Sequence, residues 1–146
     1  MIEKYVKVST LLGITTQLYS TRMNQILGEQ GLSLSQFSLL NHLLRNQGKQ
    51  EGVSDLAQAL EVNQPAVTKI VQKLAKLELV AVQKDAADSR KKWVSITSQG
   101  QMKVQASMQS LGPDVAGWFE EWSADEMDQF IGHLAKLSGW LDENRR

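Results

Sequence analysis

Residues 79–97, LVAVQKDAADSRKKWVSIT, constrain the fold more than any other stretch. Val80 and Val82 alternate with smaller or polar residues, and so do Val94 and Ile96 with Ser95 and Thr97. Period-two alternation of this kind predicts two short strands. Between them, DAADSRKK carries no long apolar side chain, so it cannot be core and reads as a charged hairpin loop. The apolar residues of the flanking segments recur at helical spacing instead, so the chain must fit one small hairpin into a mainly helical fold.

The flanking helices are legible in turn. Residues 3–29 carry Val6, Leu11, Leu12, Ile14, Leu18, Tyr19, Met23, Ile26 and Leu27 at spacings of mostly one, three and four, a long amphipathic helix that Gly13 weakens slightly and GLS at 31–33 ends. Ser33 or Ser35 caps a second helix with Phe37, Leu39, Leu40, Leu43 and Leu44 on its apolar face, and NQGKQEG at 46–52 closes it with two glycines. Ser54 is expected to cap a short helix, DLAQALEV. Asn63 caps the next, its side-chain oxygen accepting the free N–H of Ala66, with Pro65 in the first turn where a missing N–H costs little. That helix runs to about Leu77. After the hairpin, Thr97 caps a further helix, in which Gly112-Pro113 predicts a kink or break. The last helix opens on a capping box, Ser123 with Glu126, and carries a stripe of Met127, Phe130, Ile131, Leu134, Leu137 and Leu141. A helix-turn-helix followed by a charged hairpin is a winged helix. The fold class is therefore mainly α with a small β-hairpin wing: a winged helix-turn-helix lobe over 33–97, and helices at 1–30 and 98–146 that exceed what the lobe needs, within one domain of 146 residues.

The net charge is zero, with sixteen bases and sixteen acids, but the distribution is uneven. From Val62 to Lys103 there are eight bases (Lys69, Lys73, Lys76, Lys84, Arg90, Lys91, Lys92 and Lys103) against three acids (Glu78, Asp85 and Asp88), a surplus of five. The remainder of the chain carries the compensating acidic excess. Such asymmetry points to a local anionic partner, although a merely solvated charged face is an equal reading of the charge alone.

The helix at 64–77 decides between them. At 100° per residue, Val67, Ile70, Val71, Leu74 and Leu77 cluster on one side. Pro65, Thr68, Lys69, Gln72 and Lys76 cluster on the other, with Lys73 at its edge and Gln64 at its start. Ordinary solvated helices mix Glu with Lys for i,i+4 pairing, whereas this outer face has no carboxylate. Lysines suit phosphates or guanine edges, glutamines adenine edges, and threonine a thymine methyl or a phosphate, so the face suits a major groove. On the hairpin tip Arg90 and Lys91 extend beyond the lobe, and a planar guanidinium suits a narrow minor groove. Asp88, two residues before Arg90, makes sense in such a loop as a brace for that guanidinium, or as a partner for Lys69 or Lys73.

GLSLSQFSLLNHL, VSDLAQALEVNQPAVTKIVQKLAKLELV and DAADSRKKWVSITSQG, in this order and spacing, resemble MarR-family transcriptional regulators over about residues 10–142. The wing signature of that family, Asp-x-x-Asp-x-Arg followed by a strand ending in Thr, falls on Asp85, Asp88, Arg90 and Thr97. The resemblance implies a homodimer built from the terminal helices, two winged lobes on a DNA pseudo-palindrome, DNA reading by 64–77 and a wing tip at Arg90. It also implies a small aromatic or phenolic effector between the dimerisation helices and the lobe, where Tyr19, Arg22, Met23 and His42 fall by position. The chain departs from the family in having Glu61 and Glu78 where glycine is common just after a helix, so either the backbone is strained there or the helices end differently. Ala86 replaces a common wing proline, and Ala87 stands at a usually polar wing position.

Other functions find little in the residues. There is no cysteine, which excludes disulfides, thiol nucleophiles and thiolate zinc. His42 and His133 are the only histidines and belong to no short-spaced ligand cluster, so no metal or cofactor is expected. No nucleophile elbow or phosphate loop supports an enzyme. Trp118, Trp122 and Trp140 in the C-terminal helices and Trp93 at the wing base read as core or dimer interface. No run of about 18 apolar residues predicts a membrane span, MIEKYVKVST lacks a signal-peptide core, and a cytoplasmic location is expected. The reading is a sequence-specific double-stranded DNA-binding transcriptional regulator, a repressor relieved by a small organic ligand. The rival is a winged-helix protein–protein module that never touches DNA.

Overall fold

The computed structural model describes residues 1–46 and 49–146. In chain order the elements are α1 (Ile2–Glu29), α2 (Leu34–Arg45), β1 (Glu51–Gly52), α3 (Val53–Leu60), α4 (Gln64–Lys76), β2 (Val80–Lys84), β3 (Lys92–Ile96), α5 (Ser98–Trp118) and α6 (Ala124–Glu143). They form two compact units, Met1–Leu111 and Gly112–Arg146. The expected mainly helical architecture with a small wing is what the chain adopts.

The helix starts follow local chemistry. Ser33 caps α2, accepting from the Gln36 N–H at 3.1 Å while Gln36 Oε1 accepts from the Ser33 N–H at 2.9 Å. Asn63 Oδ1 accepts from the Ala66 N–H at 2.9 Å, and Thr97 Oγ1 from the Gly100 N–H at 3.0 Å. Ser123 and Glu126 close a reciprocal box at the start of α6. The expected cap at Ser54 is corrected: α3 starts two residues earlier, at Val53, with Gly52 as N-cap and its N–H donating to Asp55 Oδ2 at 3.3 Å. The reason is β1, a two-residue strand the sequence did not suggest, which pairs Glu51 with Val94 and Gly52 with Trp93 and fixes the backbone just before the helix. The sheet order is β1-β3-β2, all antiparallel, with Val80 opposite Ile96 and Val82 opposite Val94. Of the two glycines expected to end α2, Gly48 lies outside the described residues.

Two other expectations need correction. Of the kink or break expected at Gly112-Pro113, the break does not occur, since α5 remains helical through Pro113 to Trp118; the missing N–H removes a single ladder bond. Leu77 does not join the buried side of α4 but is the exposed C-cap.

The interior of the first unit is a closed apolar cluster. Leu27 of α1, Leu39, Leu40 and Leu43 of α2, Leu56 of α3, Val67 and Leu74 of α4, Val94 of β3 and Val104 of α5 are all fully buried. Gly100 is required at its position: a Cβ there would sit 2.1 Å from the Leu79 carbonyl oxygen and 2.7 Å from Ile96 Cγ1. Along the first two-thirds of α1, Ile2, Tyr5, Val6, Val8, Leu11, Leu12, Ile14 and Leu18 are exposed. In the second unit α6 buries no residue, leaving Ile131, Leu134, Leu137, Trp140 and Leu141 open. Its aromatic residues cluster at the turn, with the Trp122 ring 5.2 Å from both Phe119 and Phe130 and the Trp118 indole N–H donating to Asp114 at 2.8 Å. No described helix is long and apolar enough to cross a membrane.

Glu61 and Glu78 both adopt left-handed backbones, φ 56° and 60°, so of the two options left by the sequence the strained one holds. Each ends a helix in the same way. The Val62 N–H reaches back to Ala57 O at 3.1 Å, and the Leu79 N–H to Leu74 O at 3.0 Å. Those bonds satisfy end-of-helix carbonyls that would otherwise be unpaired, and glycine would adopt the turn without the Cβ penalty. The Glu78 carbonyl also accepts from the Thr97 hydroxyl at 2.7 Å, tying the end of α4 to the start of α5.

Candidate nucleic-acid interface

The α4 surface is built by burial on one side only. Val67, Val71 and Leu74 face the interior, so Gln64, Pro65, Thr68, Lys69, Gln72, Lys73 and Lys76 are all exposed. The seven residues expected on the outer face therefore share one surface, and no carboxylate stands among them. The Thr68 hydroxyl donates back to Gln64 O at 3.0 Å, so it presents its methyl group and oxygen lone pairs outward.

The wing loop is ordered by its two aspartates. Asp85 Oδ1 accepts from the N–H groups of Ala87, at 2.7 Å, and Asp88, at 3.2 Å, and Asp85 Oδ2 accepts from the Trp93 indole N–H at 3.0 Å. The Ala87 N–H first, then the Trp93 indole and the Asp88 N–H, hold the Asp85 carboxyl below the usual carboxylate range. Asp88 Oδ1 in turn accepts from both the backbone N–H of Arg90, at 3.0 Å, and its Nε, at 3.2 Å. Asp88 thus braces Arg90 rather than reaching Lys69 or Lys73. The brace holds only the inner edge of the guanidinium, whose side chain stays 90% exposed. Ala86 and Ala87 leave no slack in the turn, because the Asp85 bonds and the Asp85 N–H to Lys91 O bond close it.

Between α4 and the wing lies an open groove of about 960 Å³. Its walls carry Gln64, Thr68, Gln72 and Lys76 from α4 and Arg90, Lys91 and Lys92 from the wing, with Val71, Ala75, Val82 and Val94 between. The structure thus brings Gln64, Thr68, Gln72 and Lys76 of α4 and Arg90 and Lys91 of the wing to one groove, while Pro65, Lys69 and Lys73 lie on the exposed α4 face outside it and Asp88 does not line it. Asp88 stands behind Arg90. Tyr19, Arg22, Met23 and His42 line none of it. Met23 is buried in the core, Tyr19 and Arg22 lie on the exposed side of α1, and His42 Nε2 sits 2.8 Å from Glu51 Oε2, tying α2 to β1. Among the described residues no group of three or more His, Asp or Glu is placed to hold a metal ion.

The sequence reading missed one member of the site. Trp93 is not a core residue. Val94 and Ile96 point inward from β3, so Trp93 lies on the opposite face of the sheet, over Asp85 and under Lys91, whose Nζ is 5.8 Å from the ring centroid. The available signal was register. In a hairpin pairing Gln83 with Trp93, Asp85 falls diagonally beside Trp93 on the same face.

A family model described as MarR family matches residues 30–91, which run from the end of α1 to the wing tip. No curated protein matches the chain. Solved structures do. A Bordetella bronchiseptica protein, BpsR, is 26% identical with a TM-score of 0.78, over 90% of this chain and 98% of that one. BldR of Sulfolobus solfataricus is 22% identical with a TM-score of 0.82, over 94% and 96%. A cysteine-to-serine mutant of E. coli MarR, in complex with operator DNA, is 20% identical with a TM-score of 0.77, over 94% and 97%. The segment from α2 to the wing tip thus matches the MarR family model, and the winged-helix fold of these solved structures is shared along most of the chain.

Proposed function

We propose that the protein is a homodimeric, sequence-specific double-stranded DNA-binding transcriptional regulator, a repressor relieved by a small organic ligand. The observation that carries this reading is the joint surface of α4 and the wing, where an outer face of lysine, glutamine and threonine without a carboxylate stands across a groove from a braced, outward-pointing arginine. Gln64, Pro65, Thr68, Lys69, Gln72, Lys73 and Lys76 enter the major groove. Asp88 holds Arg90, which enters the adjacent minor groove beside Lys91. Residues 33–97 are the DNA-binding lobe, and 1–30 with 98–146 the dimerisation helices. The apolar stripes left open on α1 and on α6 support the dimer, since exposed patches of that extent are uncommon on monomers. Two lobes related by a two-fold axis read a pseudo-palindrome whose half-site centres are about 10–10.5 bp apart. Such a protein works in the cytoplasm, where its DNA is.

The effector reading rests on a relative. DNA binding by BpsR is regulated by 6-hydroxynicotinic acid, and a small aromatic acid of that kind, held near Tyr19, Arg22, Met23 and His42, is the ligand class for this chain. The deciding experiment is selection of bound sequences from random DNA, followed by a salt-titrated mobility shift with and without aromatic acids at millimolar concentration. Symmetric selected sites, with affinity falling steeply with salt, are expected. A pool with no enrichment would overturn the reading in favour of a protein–protein module, and unchanged shifts with every acid would overturn the effector.

A further inference from the structure

The wing arginine is the end of a chain of hydrogen bonds whose other end is a tryptophan. The Trp93 indole N–H donates to Asp85 Oδ2; Asp85 Oδ1 holds the Asp88 N–H; and Asp88 Oδ1 holds both the N–H and the Nε of Arg90. Each link is within 3.2 Å. The Trp93 end is anchored, because β3 is the middle strand and Trp93 is paired with Gly52 on one side and Gln83 on the other. Gly52 leaves room for the ring, since even a Cβ there would come no closer than 4.0 Å to it. Lys91 covers the ring from the loop side. The Arg90 end is 90% exposed, and Asp88 holds its Nε.

We propose that Trp93 is a positioning residue of the wing: through Asp85 it fixes the 85–91 loop in the conformation that presents Arg90, and so sets how tightly the wing engages DNA. This rests on the DNA-binding reading above. The chemistry at Asp85 makes the relay specific. Three N–H donors converge on its carboxylate, two at Oδ1 and one at Oδ2. An asparagine has one oxygen for them; turned to satisfy Ala87 and Asp88, its NH₂ group faces the indole N–H, donor against donor. Asp85→Asn therefore breaks the relay while Trp93 is present. It is harmless once the indole donor is gone.

The test uses the full chain and five variants: Trp93→Phe, Asp85→Asn, their double, and Arg90→Ala alone and combined with Trp93→Phe. Trp93→Phe keeps an aromatic ring over the loop and removes only the donor. It should weaken binding to the selected DNA about three- to tenfold, and should weaken Arg90→Ala no further, because the relay acts only through that guanidinium. The Asp85→Asn, Trp93→Phe double should bind no worse than Trp93→Phe alone. In protein without DNA, the Arg90 Nε–H resonance should be sharp and slowly exchanging in the wild type and lost in Trp93→Phe. A merely structural role would lower the melting temperature but leave the two changes additive. Additive losses with Arg90→Ala, or an unchanged Arg90 resonance in Trp93→Phe, would overturn the proposal. Should the wild type select no DNA, the DNA-binding reading falls, and the resonance still decides whether Trp93 orders Arg90.

Discussion

Helices α2 and α6 start from the same local instructions and meet different ends. Both open on a serine whose hydroxyl caps the third helical residue, Gln36 in one and Glu126 in the other, and both carry an apolar stripe at helical spacing. Yet α2 buries Phe37, Leu39, Leu40 and Leu43 within its own unit, whereas α6 buries nothing. The cap and the stripe specify a helix and which of its faces is apolar. They do not specify whether the partner for that face belongs to the same chain. In α6, as in the first two-thirds of α1, the stripe is complete and exposed.

The largest expected effect comes from making one substitution on both sides of that contrast. Leu40→Ala, at a fully buried position, should lower unfolding stability by about 2–5 kcal/mol, whatever the protein concentration. Leu134→Ala, at a position 43% exposed in the single chain, should cost within about 0.5 kcal/mol if the chain is a monomer. If α6 lies in a dimer interface, the cost appears instead as a shift in the dissociation constant and makes the melting temperature concentration-dependent. Denaturation at several protein concentrations, with sedimentation beside it, separates these. A concentration-independent Leu134→Ala would break the comparison and leave α6 as an oddly apolar surface helix.

Glycines extend the contrast at smaller magnitude. Gly100 meets the Leu79 carbonyl oxygen, and Gly132, within α6, meets nothing within 4 Å. Gly100→Ala should destabilise by about 1–3 kcal/mol, because backbone rather than a flexible side chain must move. Gly132→Ala should stabilise by up to about 1 kcal/mol through helix propensity. A loss at Gly132 would place a close partner helix there and sharpen the dimer assignment to that turn. Thermal denaturation reads both.

What could be read from sequence divides along the same line. The caps at Ser33, Asn63, Thr97 and Ser123 involve residues three apart, and all four form. The exposed face of α4 was equally legible, because one periodicity assigns both sides of a helix. The Asp88 brace on Arg90 spans two residues and was found. Strand β1 was not, because its only cause is pairing with Val94 and Trp93 some forty residues on. That pairing also moved the α3 cap from Ser54 to Gly52. Trp93 was assigned to core or interface from its size, but sheet register, not hydrophobicity, puts it on the outer face beside Asp85. Pro113 does not end α5, because the turns on either side of it keep their own bonds.

Glu61 and Glu78 give a third and smaller test. Both hold a left-handed backbone at a helix end inside the closed unit. Glu61→Gly and Glu78→Gly should each raise stability by about 0.5–1 kcal/mol, with the larger gain at Glu61, because the bond from the Thr97 hydroxyl already holds the Glu78 backbone in place. Equilibrium unfolding in urea measures this. A loss on either substitution would mean that the side chain contributes more than its strain removes.

The smallest expected effect separates the two capping boxes themselves. The α2 box uses Gln36, which does not titrate, and the α6 box uses Glu126, which does. The Ser123 backbone N–H, and after it the Ser123 hydroxyl, hold the Glu126 carboxyl below the ordinary glutamate value. A depressed folded pKa means that the charged form is favoured by folding. The contribution is therefore complete above the ordinary glutamate value and is lost as pH falls through the lower folded value. The carboxylate also faces the positive end of the helix, so protonation removes that attraction along with the bond. Acidification from neutral pH should leave the Ser33 and Gln36 amides protected against hydrogen exchange, while the Ser123 amide loses protection only below the ordinary glutamate range. Glu126→Gln should make α6 behave like α2, capped and indifferent to pH. Loss of Ser33 protection in step with Ser123 would mean that acid acts on the whole fold. Persistence of the Ser123 signal at full protonation would mean that the hydrogen bond survives without the charge, and that the two boxes are equivalent after all.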